Sequence, residues 1–391
     1  MPNQAPIGSA ASSRLTLSGS DSLKLFLLLL FYKSFIYGIV FLSSKFFPGM
    51  FSTAAYLQNF HISPTIKPGL ASMLETWDGQ IFIFLSQMGY QAHSISIVTY
   101  PLWPFVIKIG TLILGGHSAI AGLLLSNFFS ILGLILFHRL ISATSSKPAA
   151  DRALLLMLAF PGALFFSFIY SESFFFFLTV LFFISLDRKK YASASFTSFL
   201  MTLTRPVGIF CALPFAWELA SKKEKAVKWI LCLSPLLALS IYFFLIYKAT
   251  GDPFAGLKAQ KFYIAHASIS KILDFPAFFK TLFAVPLIFH GMLNSAMDRV
   301  WFLWFTVSLF FIWKKNKTYF IYALAMGLVP AMTVSLMSYT RYFLMVFPVF
   351  ITTGDLFEKE SRKGWLWLTL SILFSIQIIF LLRHVNNYWV A

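Results

Sequence analysis

From Phe26 almost to its last residues, the sequence is a succession of apolar runs, each close to the length of a membrane span, joined by short connectors. A helix crosses the hydrocarbon core of a bilayer with roughly 20 predominantly apolar residues. Lipid offers no partners for backbone polar groups, so a spanning segment of that length must be helical. Charged residues make up only 12% of the 391 residues and hydrophobic ones 58%, against about 25% charged in an average soluble domain. The chain therefore reads as an all-α polytopic membrane protein. Residues 1–22, rich in Ser, Ala and Gly, read as a disordered cytoplasmic tail, and 23–391 as a single transmembrane domain. The first apolar run, broken by Lys33, is too long for a signal-peptide core and no clear small-residue cleavage site follows it, so it reads as a retained helix.

The expected spans are about 25–44, 97–115, 118–140, 153–169, 170–186, 193–219 (as one helix, or as two short ones divided at Thr204-Arg205-Pro206), 229–249, 299–313, 319–338, 340–357 and 364–383, giving roughly 9 to 12 in all. The 274–291 stretch is apolar but carries Lys280 and His290, which suits an interfacial or re-entrant segment. The net charge of +17 is concentrated in connectors. These are Asp187-Arg188-Lys189-Lys190, Lys222-Lys223-Glu224-Lys225 on to Lys228, Lys314-Lys315-Asn316-Lys317, and Lys359-Glu360-Ser361-Arg362-Lys363. Lys and Arg are retained on the cytoplasmic side of membranes, so this charge argues for topology and against nucleic acid. The connectors between them then face the opposite side. One conflict stands before residue 152. Full crossings by both 97–115 and 118–140 would put Lys147 and Arg152 on the wrong side of the membrane.

Ionisable residues at membrane depth are costly and tend to be functional. Trp77-Asp78-Gly79-Gln80 falls in the first outer loop, 45–96, just before a short apolar stretch that ends near Gly89. Asp78 at that position is either a helix cap or a working carboxylate. Glu172 lies between two Phe-rich runs, as a hairpin residue or as a carboxylate facing a polar cavity. Arg205 in Thr-Arg-Pro-Val-Gly and Arg341 in Ser-Tyr-Thr-Arg-Tyr-Phe are each suited either to snorkelling or to binding phosphate with a forked set of donors. Gly251-Asp252-Pro253 is a turn signal, and Gln260 reads as an exposed loop residue. Cys211 and Cys232 read as small buried hydrophobes. No His-Glu-x-x-His motif, paired-Cys spacing, phosphate-binding Gly-rich loop or nucleophile elbow occurs. No cofactor is expected, with a divalent metal left open.

Taken in order, these segments carry a resemblance. Trp77-Asp78, Gly89-Tyr90 and Tyr100-Pro101-Leu102-Trp103-Pro104 are similar to the first-loop signature of PIG-V-type mannosyltransferases. Phe160-Pro161 through Tyr170-Ser171-Glu172, Thr204-Arg205-Pro206-Val207-Gly208, Gly251-Asp252-Pro253 through Gln260, and Arg341-Tyr342 through Phe347-Pro348 resemble later motifs of that family, in the same order. After Gln260 the usual Trp is replaced by Phe262 or Tyr263. The resemblance implies a GT-C glycosyltransferase that moves a hexose, typically mannose, from a polyprenyl-phosphate donor to an acceptor hydroxyl on a lipid, glycan or protein. It places the catalytic base at Asp78 and substrate contacts at Trp77, Gln80, Tyr100, Glu172, Arg205, Asp252, Gln260, Arg341 and Tyr342. A bacterial inner membrane, or the endoplasmic reticulum in a eukaryote, would hold it with the site on the periplasmic or lumenal side. A transporter or lipid flippase is the alternative. It predicts polar residues at mid-span, whereas those here cluster at one set of helix ends. A non-catalytic membrane scaffold is a third reading.

Overall fold

A computed structural model describes residues 19–59, 68–92, 94–260, 268–284, 288–293 and 295–390. The expected disordered tail lies outside these residues up to position 18, and Phe262 and Tyr263 lie outside them as well. Helix begins at Gly19, four residues before the expected domain start. The described residues form an all-helical fold with no strand beyond an isolated bridge from Ile288 to Ser295. One contiguous apolar core runs from Leu25 to Val390.

Among the described residues, five stretches are long and apolar enough to cross a membrane: 21–46, Ser118–Thr144, 226–250, Ala296–Lys315 and 360–385. A sixth forms if Lys147–Ala159 and Pro161–Ser167, which meet at 84°, count as one broken span. This is fewer than the 9 to 12 expected, and proline accounts for much of the difference. Pro161, Pro206 and Pro348 each open a new helical segment. Proline cannot donate within a continuing helix and its ring clashes with the preceding turn. The apolar runs 153–169, 193–219 and 340–357 are thereby divided into short pieces. Such pieces are tolerated at membrane depth where protein surrounds them. The Glu172–Asp187 helix is buried along almost its whole length, packed between the Ser118–Thr144 and Tyr191–Thr204 helices.

The backbone at the Phe160-Pro161 break and at the end of the short segment after it is bonded by side chains. Gln377 Nε2 donates to the Leu158 and Phe160 carbonyls at 2.9 and 2.7 Å. Lys33, buried within the first helix, donates to the Phe166 carbonyl and, at 3.1 Å, to Ser167 Oγ. Tyr37 donates to the Ser167 carbonyl, and its hydroxyl is in turn bonded by Asn127 Nδ2 at 2.6 Å. The lysine that interrupts the first apolar run is thus a partner for a broken span.

The conflict around residues 97–152 is resolved. The first part of this region holds a helix of only 12 residues, Leu102–Ile113. At 1.5 Å per residue it is about 18 Å long, short of the roughly 30 Å hydrocarbon core. It ends in Gly115 and Gly116, both at positive φ, so 97–115 does not cross. Lys147 then pairs with Asp21 at 2.7 Å, at the start of the first helix. The basic connectors continue from there as one linked end. Arg152 donates to the Gly354 carbonyl at 2.8 Å, Lys315 pairs with Asp355 at 2.6 Å, Thr318 bonds Glu218 at 3.0 Å and Tyr191 bonds Glu224 at 2.9 Å. Exposed Trp217, Trp229, Trp313, Trp365 and Trp367 border this end, as an aromatic belt at a membrane interface would.

Glycine permits the tightest approach behind Arg205. A Cβ on Gly208 would fall 2.4 Å from the Met201 carbonyl carbon and 2.5 Å from Thr202 N. Both are backbone atoms of the preceding helix, so they cannot yield as a side chain could. Overpacking of this kind costs about 1–3 kcal/mol. Gly208→Ala is expected to lower the thermal midpoint of the purified protein in detergent, and an unchanged midpoint would contradict the close approach.

Candidate active site

Four charged side chains, from four separate elements, meet at the end of the molecule opposite the basic connectors. Asp78 is the first residue of the Asp78–Met88 helix. Glu172 opens the Glu172–Asp187 helix, Arg205 terminates the Tyr191–Thr204 helix, and Arg341 sits in the short Tyr339–Leu344 helix. Two of these placements follow helix electrostatics. The N-terminus of a helix favours an anion and its C-terminus a cation, and Glu172 and Arg205 each occupy the favourable end.

The four form a chain. Glu172 is fully buried, and its Oε1 accepts from Arg205 Nη1 and from Arg341 Nε. Arg341 Nη1 extends the chain to Asp78 Oδ2. The Asp78 side chain is 40% exposed, so the chain runs from a closed interior to an open outer residue. Arg205 Nη1 also donates to Ser171 Oγ at 3.2 Å. Aromatic faces cover both guanidiniums: the Tyr170 ring lies 4.7 Å from Arg341 and the Tyr342 ring 5.5 Å from Arg205. Contacts of this kind stabilise a cation most where water is excluded. Neither arginine snorkels, and Glu172 is not a solvated hairpin residue. Asp78 is not a plain cap, because the N-cap position belongs to Trp77 and the carboxylate pairs with Arg341. Glu172 Oε2 is buried with no partner among the described residues.

Trp77 and Gln80 flank Asp78. Asn59 Nδ2 ties them together, donating to the Trp77 carbonyl at 2.9 Å and to Gln80 Oε1 at 3.0 Å. The Trp77 indole N–H is buried without an acceptor among the described residues. Glu75, three residues before Asp78, has its carboxyl pushed up by burial.

Tyr100, Asp252 and Gln260 lie in a different neighbourhood. Tyr100 stacks on Tyr242 with centroids 4.1 Å apart, in a small satellite core that includes Ile97 and Ala259. Asp252 organises its own turn. It accepts from Phe254 N at 3.0 Å and pairs with Lys258 at 2.6 Å, which holds its carboxyl below the usual range. Gln260 follows directly, half-buried. Among the described residues, no hydrogen bond or ion pair joins these three to the Arg341 chain. Two residues missed in the sequence complete the site. Tyr170 supports Arg341, and His384, from the last membrane helix, packs against the Tyr170 ring with centroids 5.6 Å apart. The Tyr-Ser-Glu motif contains Tyr170, whereas nothing local marks His384. Cys211 and Cys232 are buried and unpaired.

The chain matches the model of the mannosyltransferase (PIG-V) family over residues 22–219, just over half of its length. It belongs to the PIG-V mannosyltransferase family. The family match covers Asp78, Glu172 and Arg205, while Arg341 lies beyond it and joins them only in three dimensions. No curated protein matches the chain by sequence. Among solved structures it is similar to the Archaeoglobus fulgidus oligosaccharyltransferase crystallised with Zn and sulfate, at 14% identity and a TM-score of 0.46, covering 91% of this chain and 53% of that one. It is also similar to ArnT from Cupriavidus metallidurans, at 14% identity and 0.49, covering 89% and 62%. A third is the oligosaccharyltransferase AglB from Archaeoglobus fulgidus in complex with an inhibitory peptide and a dolichol-phosphate, at 10% identity and 0.49, covering 92% and 56%. The chain thus spans between about half and three-fifths of the length of these proteins. Likenesses this weak carry no argument, and membership of the PIG-V family rests on the sequence match.

Replacing Glu172 with Gln would leave the buried Arg205 guanidinium without its anion and Arg341 with Asp78 alone. Breaking a buried pair in this way costs about 3–5 kcal/mol. Glu172→Gln is therefore expected to melt well below the wild type, and Glu172→Asp closer to it. Equal melting of Glu172→Gln and wild type would show that the chain is not structural.

Proposed function

We propose that this PIG-V family member is a GT-C glycosyltransferase that transfers a hexose, mannose by family affinity, from a polyprenyl-phosphate donor to an acceptor hydroxyl. The observation that carries this reading is the Asp78–Arg341–Glu172–Arg205 chain, at the end opposite the basic connectors. By the positive-inside rule that end is non-cytoplasmic: the periplasmic side of a bacterial inner membrane, or the lumenal side in a eukaryote.

In this scheme the acceptor oxygen attacks the anomeric carbon of the sugar. The bond from that carbon to the phosphate oxygen breaks, and the acceptor proton passes to Asp78 as general base. Polyprenyl phosphate leaves with one more negative charge than it had as a diester. The four site groups sum to zero net charge when Asp78 is ionised. Protonation of Asp78 therefore leaves one unit of positive charge uncompensated just as the leaving phosphate gains its own. Fixed donors aimed at developing charge are a large source of rate enhancement, and Arg341 and Arg205 would supply them.

The pairing of Asp78 with Arg341 has a consequence for the order of events. Arg341 Nη1 occupies Asp78 Oδ2 in the resting arrangement. A donor phosphate that takes over the Arg341 fork would release Asp78 to the acceptor, so the donor binds first. Glu172 keeps Arg341 in place through its Nε while Nη1 changes partner. The buried Trp77 N–H would donate to a substrate oxygen.

The test is transfer of labelled sugar from polyprenyl-phosphate mannose to acceptors in a membrane extract. Asp78→Asn is expected to lower turnover by about 10²–10⁴-fold while the protein still inserts and melts cooperatively. Undiminished turnover in that variant would remove Asp78 from the role of base.

A further inference from the structure

The residue before Asp78 has a conformation that needs support. Trp77 adopts φ +52° and ψ −127°, outside the helical and extended regions. A large side chain at positive φ is strained and persists only where its surroundings over-determine it. The Asn59 bond to the Trp77 carbonyl supplies part of that support. The rest comes from the far end of the sequence. Thr76, 1% exposed, is hydrogen-bonded through Oγ1 to His384 Nε2 at 3.1 Å. The Trp77 ring meets the Trp389 ring edge-on, with centroids 5.3 Å apart at 88°.

Residues 384–390 are themselves fixed at several points. The His384 ring is enclosed by Phe165, Phe168 and Tyr170, at 5.4, 4.7 and 5.6 Å between centroids. Asn386 donates to Ser43 Oγ at 3.1 Å and accepts from Ser52 N at 2.9 Å. Arg383 bonds the Trp389 carbonyl through two nitrogens, at 3.3 and 3.2 Å. This segment therefore joins the outer end of the first helix, the loop carrying Asp78 and the floor beneath Arg341.

We infer that residues 384–389 are a positioning element for the Asp78 loop, in which His384 and Trp389 hold Thr76 and Trp77 so that the Asp78 carboxylate stays on Arg341. The inference rests on Asp78 being the base. Neither His384 nor Trp389 is placed against substrate. Loss of their contacts would let Trp77 relax toward an ordinary conformation and carry Asp78 off Arg341. Donor binding would no longer have to displace Asp78 from Arg341, so donor KM would not rise.

Two measurements on the full chain in nanodiscs test this, one of them independent of enzymatic activity. In hydrogen exchange followed by mass spectrometry, Thr76→Val and Trp389→Ala are each expected to speed exchange of peptides covering 72–80 by at least tenfold. Peptides from 172–204 should be unaffected. Trp389→Phe, which keeps an aromatic edge, should restore slow exchange. Thr76→Val removes only the hydroxyl at constant shape, so it keeps the test open if a His384 variant does not fold. In the transfer assay, Thr76→Val and Trp389→Ala should lower kcat at least tenfold with donor KM no higher than in the wild type, and Trp389→Phe should recover most of kcat. Unchanged exchange over 72–80 in both variants would overturn the inference, as would a defect confined to KM. If wild-type protein transfers no sugar, the functional reading fails, while the exchange measurement still decides whether residues 384–389 hold the loop.

Discussion

A single buried carboxylate organises the end of this protein opposite the basic connectors. Glu172 has no access to solvent and is bonded by two guanidiniums. An ion in that position is tolerated only if it is paired and hydrogen-bonded, so Glu172 dictates where Arg205 and Arg341 must lie. Arg205 can reach it because Pro206 ends one helix and Gly208 lets the next turn pack on that helix's backbone. Arg341 can reach it because Asp298 caps the short helix that carries it. Asp298 Oδ1 accepts from Thr340 N and Thr340 Oγ1, both at 2.9 Å. Asp78 is then recruited by the second arm of Arg341.

The arrangement separates two electrostatic tasks between the ends of one helical fold. At one end lie solvated lysines and exposed tryptophans, with pairs such as Lys315–Asp355 that are partly open to water. At the other, the charges are few, buried and mutually neutralised. An added phosphate there would meet guanidiniums already held in place and covered by Tyr170 and Tyr342. Preorganisation of that kind avoids reorientation at the moment of reaction.

Much of this was legible in the sequence, for physical reasons. Apolar runs disclose membrane helices because lipid leaves no other way to satisfy the backbone. The basic connectors marked one end, and the polar motifs marked the other. The break at Pro206 could be read from Thr204-Arg205-Pro206, but the number of spans was not legible, because an apolar run reads the same whether it crosses the bilayer or is broken at Pro161 or Pro348 within the protein. The fate of 97–115 depended on a pair between Asp21 and Lys147, which are far apart in the chain. Within the site, Asp78, Glu172, Arg205 and Arg341 could each be picked out as polar residues in the wrong place. Their joining could not, since Asp78 and Arg341 are 263 positions apart. Asp252 shows the reverse: a motif residue whose local role in a turn is all that the described contacts display. His384 carried no local signal, because a histidine near a helix end has many uses and only the folded chain brings it to Thr76.

The central claim is that Arg341 changes partner, from Asp78 to the phosphate of a lipid-borne donor. A structure of the protein in nanodiscs with polyprenyl phosphate bound would test it most directly. The account predicts the phosphate within hydrogen-bond distance of Arg341, with the Asp78 carboxylate released and Glu172 still on the Nε of that arginine. A phosphate bound among the lysines of the opposite end, or bound near an Arg341 that still grips Asp78, would contradict it.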